Sequence, residues 1–165
     1  MGLRTFDIAQ AIPALWATGV LDQHFTQYWT NQQKADYLVL MDEGAAPTQP
    51  WPYCVFEVIA STQSSRSSAS TPQRNRQEIN EDTIRFHVFA KDRTLKSGKR
   101  LCSDLVEEIL KVFGGHPEET HQDLPLQNGA VVNQEYNQTI LMQEDEGIWK
   151  ATVIYSVFYE LSLKD

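Results

Sequence analysis

Apolar side chains in the first 30 residues recur every three or four positions, which is the spacing of an α-helix. The repeat runs through residues 8–16 and again through residues 21–29. Pro13 is tolerated only in a first helical turn, and Gly19 weakens a helix interior. We therefore predict two helical segments rather than one rod, with Asp22 as the cap of the second.

Short apolar runs, followed by one run with two-residue alternation, predict the strands of the first half of the chain. They are "YLVLM" (residues 37–41), "YCVFEVIA" (53–60) and "TIRFHVFA" (83–90). A proline-rich connector at 42–52 has too many helix and strand breakers to form an element. The third strand has one apolar and one mixed face, and His87 on the mixed face is expected to be a surface or interface residue.

The second half of the chain contains the clearest helix and a hairpin. "SGKRLCSDLVEEILKVFGG" (97–115) carries a broad apolar stripe that ends before Gly114. "AVVNQEYNQTILMQ" (130–143) and "IWKATVIYSVFYELSL" (148–163) predict two long strands joined by the turn "EDEG" (144–147). The whole pattern predicts an α+β fold, in which a mostly antiparallel sheet with a long C-terminal hairpin packs against the N-terminal helices and one central helix.

A long polar segment interrupts this pattern between the second and third strands. "STQSSRSSASTPQRNRQ" (61–77) holds Arg66, Arg74 and Arg76 and no acid. The chain of 165 residues is predicted to form a single domain, with a flexible polar loop at 61–82. Loops of this length in compact domains are functional or disordered, so the segment is either a partner-binding element or a solvated insert.

Composition narrows the classes of function. The net charge is −8 and the isoelectric point about 4.9, which argues against general attraction to nucleic acid or anionic membranes. The sequence has no apolar run long enough for a membrane span and no pattern of a signal peptide. Cys54 and Cys102 both lie in apolar patterns, which suits a reduced, intracellular chain with buried thiols.

No pattern of residues specifies an active site. "HPEETH" contains His116 and His121, but the spacing differs from that of zinc-binding helices and Pro117 opposes a helix, so a solvated loop is favoured over a metal site. Cys102 on the apolar stripe is favoured as a core thiol rather than a nucleophile. The acids of the turn at 144–147 are too exposed for a catalytic pair. We therefore predict no catalytic residue, no metal and no cofactor.

The last strand offers candidate residues for a protein interface. Trp149 and Tyr155 lie on one face of this strand, and Phe158 lies on the other. Apolar character on both faces indicates either helices on one side or a protein partner. These three aromatic residues are the candidate interface residues, beside the three arginines of the polar loop.

The order of these elements resembles a known family. The segments that carry the resemblance are "ALWATGVLDQHF", "APTQPWPYCVFEV", "IRFHVFAKD", "SGKRLCSDLVEEILKVF" and "GIWKATVIYSVFYE". Over residues 8–161 the layout resembles the tail-completion proteins of long-tailed bacteriophages, also called tail terminators or lambda-type minor tail proteins. The length of the loop at 61–77 and the acidic "DEG" after the first strand depart from the family pattern.

The resemblance implies a virion structural protein that is not an enzyme. Its subunits would form a ring, commonly a hexamer, which caps the tail tube and joins it to the head connector or stopper protein. DNA would pass through the lumen without specific binding. Two alternatives remain open: a head–tail adaptor or stopper ring of the neck, and a small intracellular α+β enzyme or ligand-binding domain. Arg66, Arg74 and Arg76 would reach a neighbouring protein in preference to DNA.

Overall fold

The computed structural model describes residues 2–19, 21–30, 38–40, 49–60, 79–117, 122–127 and 129–161. In chain order its elements are α1 (Gly2–Thr18), α2 (Leu21–Thr26), β1 (Leu38–Leu40), β2 (Tyr53–Ala60), β3 (Ile79–Lys91), α3 (Gly98–Phe113), β4 (Gly129–Asp145) and β5 (Ile148–Leu161). The predicted α+β class and the predicted order of elements are confirmed. None of the described helices has both the length and the apolar character needed to cross a bilayer.

The strands form one sheet of five strands in the order β1-β2-β3-β5-β4. The β1–β2 pair is parallel, and every other pair is antiparallel. β3 and β5 form the centre of the sheet, with a continuous register from Ile79↔Glu160 to Lys91↔Ile148. β4 and β5 form the predicted hairpin, whose turn is closed by Gly147 at a positive φ of 72°.

Helix α3 has the boundaries that its sequence predicts. The side chain of Ser97, in extended backbone, accepts a hydrogen bond from the backbone N–H of Arg100 at 3.2 Å, which starts the helix. Gly114 ends it at a φ of 123°, where a side chain would be strained. The predicted apolar stripe is buried against the sheet at Leu101, Cys102, Leu105, Val106, Ile109 and Phe113.

The hydrophobic core lies between the helices and one face of the sheet. Trp16 is its centre, because its ring lies 5.4 Å from that of Phe25, 6.0 Å from that of Phe86 and 6.3 Å from that of Phe113. These contacts connect α1, α2, β3 and α3 through one side chain. Burial of such large apolar surfaces is the main force that holds the helices on the sheet.

The N-terminal helices differ from the prediction in detail. Two helices form and Gly19 separates them, as expected, but Pro13 lies inside α1 rather than in a first turn. Pro13 is exposed, so the carbonyl group that loses its helical partner can bind water. Asp22 does not cap α2, because this helix begins one residue earlier and Asp22 lies within its first turn.

Strand β3 is longer than predicted. It begins at Ile79, so the last four residues of the predicted loop at 61–82 belong to the sheet. Asn80 and Asp82 are buried there, and the Tyr159 hydroxyl donates a hydrogen bond to the Asp82 carboxylate at 3.2 Å. Pairing with β5 therefore extends the strand into a polar sequence. The remainder of the predicted loop, residues 61–78, lies outside the described residues.

Candidate interaction surface

The sheet has a second face, here called the outer face, which points away from the core. The strand registers align side chains across it, and one row contains Tyr53, Phe89, Lys150 and Met142. Trp51, Tyr53 and Phe89 form an aromatic cluster with ring separations of 5.1 to 6.2 Å. The Lys91 ammonium lies 4.4 Å from the Trp51 ring centroid, a cation–π contact that leaves the charge at the surface.

His87 is buried on the outer face, with 7% of its surface exposed, so the expectation of a surface histidine is wrong. Its Nε2 lies 3.0 Å from Glu57 Oε1, and its Nδ1 lies 3.0 Å from the Thr152 hydroxyl. Because a carboxylate only accepts hydrogen bonds, Nε2 carries a proton, and the Thr152 hydroxyl, which can both donate and accept, pairs with Nδ1. These partners from β2 and β5 satisfy both nitrogens and enclose the ring.

The Glu57–His87–Thr152 arrangement has the order of groups found in base-activated hydroxyl nucleophiles. Thr152 is buried within β5, and neither it nor His87 lines the two grooves described near Tyr28. A substrate would need access to the hydroxyl and donors for a developing oxyanion. The network therefore connects three strands, and its hydroxyl and imidazole are both buried.

The two cysteines are core residues in a protonated state. Cys102 Sγ lies 3.6 Å from the Val88 carbonyl oxygen and 3.5 Å from the Trp149 carbonyl oxygen. Burial raises the pKa of the Cys102 thiol from 9.0 to about 12, and burial also raises the pKa of Cys54. Since the thiolate is the nucleophile, neither residue is reactive near neutral pH.

The predicted candidates for a metal site are only partly described. His116 Nε2 lies 3.3 Å from Glu107 Oε1 on α3, and His121, Glu118 and Glu119 lie outside the described residues. Within the described ranges, no three His, Cys, Asp or Glu side chains converge as metal ligands. The absence of a metal therefore stays a prediction.

The structure separates the predicted interface residues. Tyr155 is only 1% exposed, and its hydroxyl donates a hydrogen bond to the Gly114 carbonyl oxygen at 2.7 Å, so it belongs to the core rather than to a free surface. Trp149 is half-buried against the start of α3, and Phe158 is half-buried on the outer face. Arg66, Arg74 and Arg76 lie outside the described residues.

A basic turn between β3 and α3 was not predicted as a site. We define the basic turn as residues 91–100, which contain five of the 14 lysines and arginines and one of the 22 acidic residues. Arg93 and Lys96 pair through two backbone hydrogen bonds of 2.8 and 3.3 Å, which places Leu95 at the tip. Leu95 is 97% exposed. The cluster of positive charges can be seen in the sequence, whereas the exposure of Leu95 follows from the geometry of the turn.

Several contacts hold the basic turn in place. The Asp92 N–H donates to the Gly147 carbonyl oxygen at 2.8 Å, and the Gly98 N–H donates to Asp92 Oδ1 at 2.6 Å. The Arg93 guanidinium lies 5.2 Å from the Tyr28 ring centroid, and the Lys96 ammonium pairs with Asp104. An open groove of about 600 Å³ lies between Tyr28 and the tip of the turn. Leu95 is therefore presented by a fixed backbone.

The end of the β4–β5 hairpin forms a second surface, here called the hairpin patch. It consists of two half-exposed apolar side chains and three exposed acids: Ile140, Met142, Glu144, Asp145 and Glu146. β4 is an edge strand that pairs only with β5 among the described strands, and three register shifts interrupt it. Such irregularities limit uncontrolled strand pairing at a sheet edge.

No protein-family model matches the sequence, and no curated protein matches it. Among solved structures, the chain is similar to one described as "Virion of native gene transfer agent (GTA) particle", with 14% identity, a TM-score of 0.44, and coverage of 93% of this chain and 91% of that chain. A similarity of this size does not establish a shared function, so we base no functional conclusion on it.

Proposed function

We propose that the protein is a virion structural protein of a tailed bacteriophage. Its subunits form a ring, most simply a hexamer, at the head-proximal end of the tail tube. The ring ends tail assembly and joins the tail to the head connector. Its partners are therefore other copies of itself, the tail tube protein and the connector or stopper protein.

The observation that carries the proposal is the exposed apolar surface of strand β4. Val132, Ile140 and Met142 are 52%, 43% and 47% exposed on this one strand of 17 residues. Isolated exposed apolar residues are ordinary, whereas several on one edge strand are typical of a surface that meets another protein. An assembly subunit requires surfaces of this kind.

The resemblance of the sequence to tail-completion proteins supports the same proposal. It implied an α+β subunit with N-terminal helices, a central helix and a closing hairpin, and the structure has these elements in that order.

Imaging of particles tests the proposal. We expect a labelled copy of the chain to lie in a ring at the head-proximal end of the tail. In cells that make the particle without this protein, we expect tubes that are not capped and not joined to heads. A position elsewhere, or particles of normal form and yield without the protein, would contradict the proposal.

The same experiment separates the nearest alternative. If the chain is a neck adaptor or stopper, its removal should leave capped tails of normal length that fail only to join heads, and the label should lie against the capsid. Overlong or uncapped tubes favour a tail terminator. The two functions therefore differ in the length of the tubes that remain.

One arrangement of side chains allows the alternative of an enzyme to be tested. If Glu57, His87 and Thr152 form a catalytic group, the Thr152 hydroxyl should react with a fluorophosphonate probe, and Thr152→Val should abolish labelling. We expect no labelling of the wild-type protein, because Thr152 is enclosed. Stoichiometric labelling at Thr152 would favour the enzyme over the structural protein.

A further inference from the structure

The distribution of charge divides the molecule into two unequal parts. The basic turn carries a net charge of +4. Because the net charge of the whole chain is −8, the remaining residues carry −12. The basic turn of one copy is therefore attracted to acidic surface on another copy. Any two copies of this chain therefore have complementary surfaces, although each copy as a whole is acidic.

We propose that the basic turn of one copy docks on the hairpin patch of the next copy. Leu95 at the tip packs against Ile140 and Met142, while the flanking cations face the three acids that follow Met142. This inference rests on the proposed ring and names the contact by which one subunit binds its neighbour.

Leu95 has the properties of an anchor. A turn tip with two residues between paired positions is usually occupied by Gly, Asn or Asp, and the described fold gives Leu95 no buried contact. The hydrogen bonds of Asp92 to Gly147 and Gly98 hold the turn before any partner arrives. Because the backbone of the turn is already held, binding orders only the Leu95 side chain, so most of the burial of this side chain contributes to affinity.

The hairpin patch has the matching chemistry. The register opposite Lys150 and Thr152 places Met142 and Ile140 on the outer face, two residues apart on one strand. The acids at 144–146 lie beside them at the turn and are exposed, and Glu144 also pairs with Lys150, opposite Met142, at 3.8 Å. An apolar pair with a carboxylate rim suits a leucine with a cationic rim better than it suits a second apolar surface.

Two considerations favour a second copy over nucleic acid as the occupant. A leucine at the foremost position of the turn contributes nothing to phosphate binding. Four of the five cations already have partners within the subunit, namely Lys91 at Trp51, Arg93 at Tyr28, Lys96 at Asp104 and Lys99 at Trp149. The remaining acidic surface of the chain would also repel a phosphate backbone.

In the proposed ring the contact is head-to-tail, since the basic turn of each subunit meets the hairpin patch of the next one. Within one copy the two surfaces adjoin at the hydrogen bond from the Asp92 N–H to the Gly147 carbonyl oxygen. In the described structure the hairpin of the same copy does not cover Leu95, since this side chain is almost fully exposed. Both surfaces are therefore available to neighbours.

Site-directed crosslinking of the full chain tests the contact. Leu95→Cys and Met142→Cys are prepared as separate variants and mixed at equal amounts with a mild oxidant. We expect a disulfide-linked dimer that contains one chain of each variant, and much less of either homodimer. The native Cys54 and Cys102 are buried and give a low background. Val132→Cys, at the other end of β4, is the matched control and should not crosslink to Leu95→Cys.

The charges are tested in the same assay. Reversal of two exposed cations, Lys99→Glu with Arg100→Glu, in the Leu95→Cys chain should reduce the yield of mixed dimer at least tenfold. Reversal of Glu144 and Glu146 to Lys in the partner chain should restore much of it. Equal crosslinking with the Val132→Cys control, or homodimers of Leu95→Cys as the main product, would overturn the proposal. So would binding of duplex DNA that the Lys99 and Arg100 reversal abolishes.

The outcomes separate this inference from the proposed function. A ring seen in particles without the mixed crosslink would reject this contact and leave the ring. The mixed crosslink in a protein that imaging does not find in particles would support the contact and reject the position in the virion.

Discussion

Tyr155 shows at the scale of one residue how the core is connected. Its ring packs against Phe86 and Phe113, and its hydroxyl donates a hydrogen bond to the Gly114 carbonyl oxygen at the end of α3. The side chain therefore links the central strand β5 to both the core and the helix terminus. A hydroxyl in such a position remains buried only because it has a partner.

We expect Tyr155→Phe to lower the free energy of unfolding by about 1–2 kcal/mol, because the buried Gly114 carbonyl loses its partner. Urea unfolding measures this change. Tyr136→Phe is the control, since its hydroxyl pairs with the Thr139 hydroxyl at a half-buried position where water can replace it. Equal losses in the two variants would show that the bond to Gly114 has no special role.

The raised pKa of the Cys102 thiol predicts how the free energy of unfolding depends on pH. Burial raises the pKa of its thiol from 9.0 to about 12, so between these values the unfolded chain loses a proton that the folded chain keeps. The stabilising effect is complete below pH 9 and decreases as the pH rises towards 12. In this interval we expect the free energy of unfolding of Cys102→Ala to fall less steeply than that of wild type, by at most about 1.4 kcal/mol per pH unit. Parallel curves above pH 9 would contradict the assignment.

Helix α3 shows at the scale of an element how local signals and packing agree. Its apolar stripe, its N-terminal serine and its terminal glycine all occur at the spacing that a helix of this length requires. The outer side carries charged residues that pair with each other, as Lys111 does with Glu108 at 3.3 Å. The helix is therefore the element that the sequence predicts best.

We expect Ser97→Ala to lower the free energy of unfolding by about 1 kcal/mol, because the Arg100 N–H loses its side-chain acceptor. Ser103→Ala is the matched control. Its hydroxyl donates to the Lys99 carbonyl oxygen within the helix, where alanine is the better helix former, so we expect no loss or a small gain. Thermal or urea unfolding of both variants measures the two changes in the free energy of unfolding. Equal destabilisation would argue against a capping role for Ser97.

At the scale of the whole molecule, the three helices cover one face of the sheet, and the basic turn and the hairpin patch lie at one end. The hydrogen bond between Asp92 and Gly147 joins these two surfaces. Burial of apolar groups on one side and exposure of selected apolar groups at the end is what the proposed ring subunit requires.

The arginines of the polar segment provide a test at this scale. We expect Arg66→Ala, Arg74→Ala and Arg76→Ala combined to change the free energy of unfolding by less than about 0.5 kcal/mol, as is usual for surface charges. The same variant should reduce the joining of tails to heads, because charge-assisted contacts to a partner are lost. The yield of infectious particles measures this effect. Normal yield would mean that the segment is a tolerated insert, and the triple Arg→Lys variant tests whether charge alone suffices.

The sequence by itself determined the elements whose signals are local. The bounds of β2, the start and end of α3 and the position of the hairpin turn follow from periodicity and from residues such as Ser97, Gly114 and Gly147. These features depend on neighbours within a few positions, so the sequence alone predicts them.

Only the tertiary structure decided the features that depend on distant segments. The start of β3 at Ile79 follows from pairing with Glu160, and the burial of His87 follows from Glu57 and Thr152 on the two neighbouring strands. The tertiary structure also decided that Tyr155 is enclosed while Leu95 is exposed. The physical reason is that burial and polar pairing depend on which strands and helices meet, and segments 30 to 77 residues apart meet here.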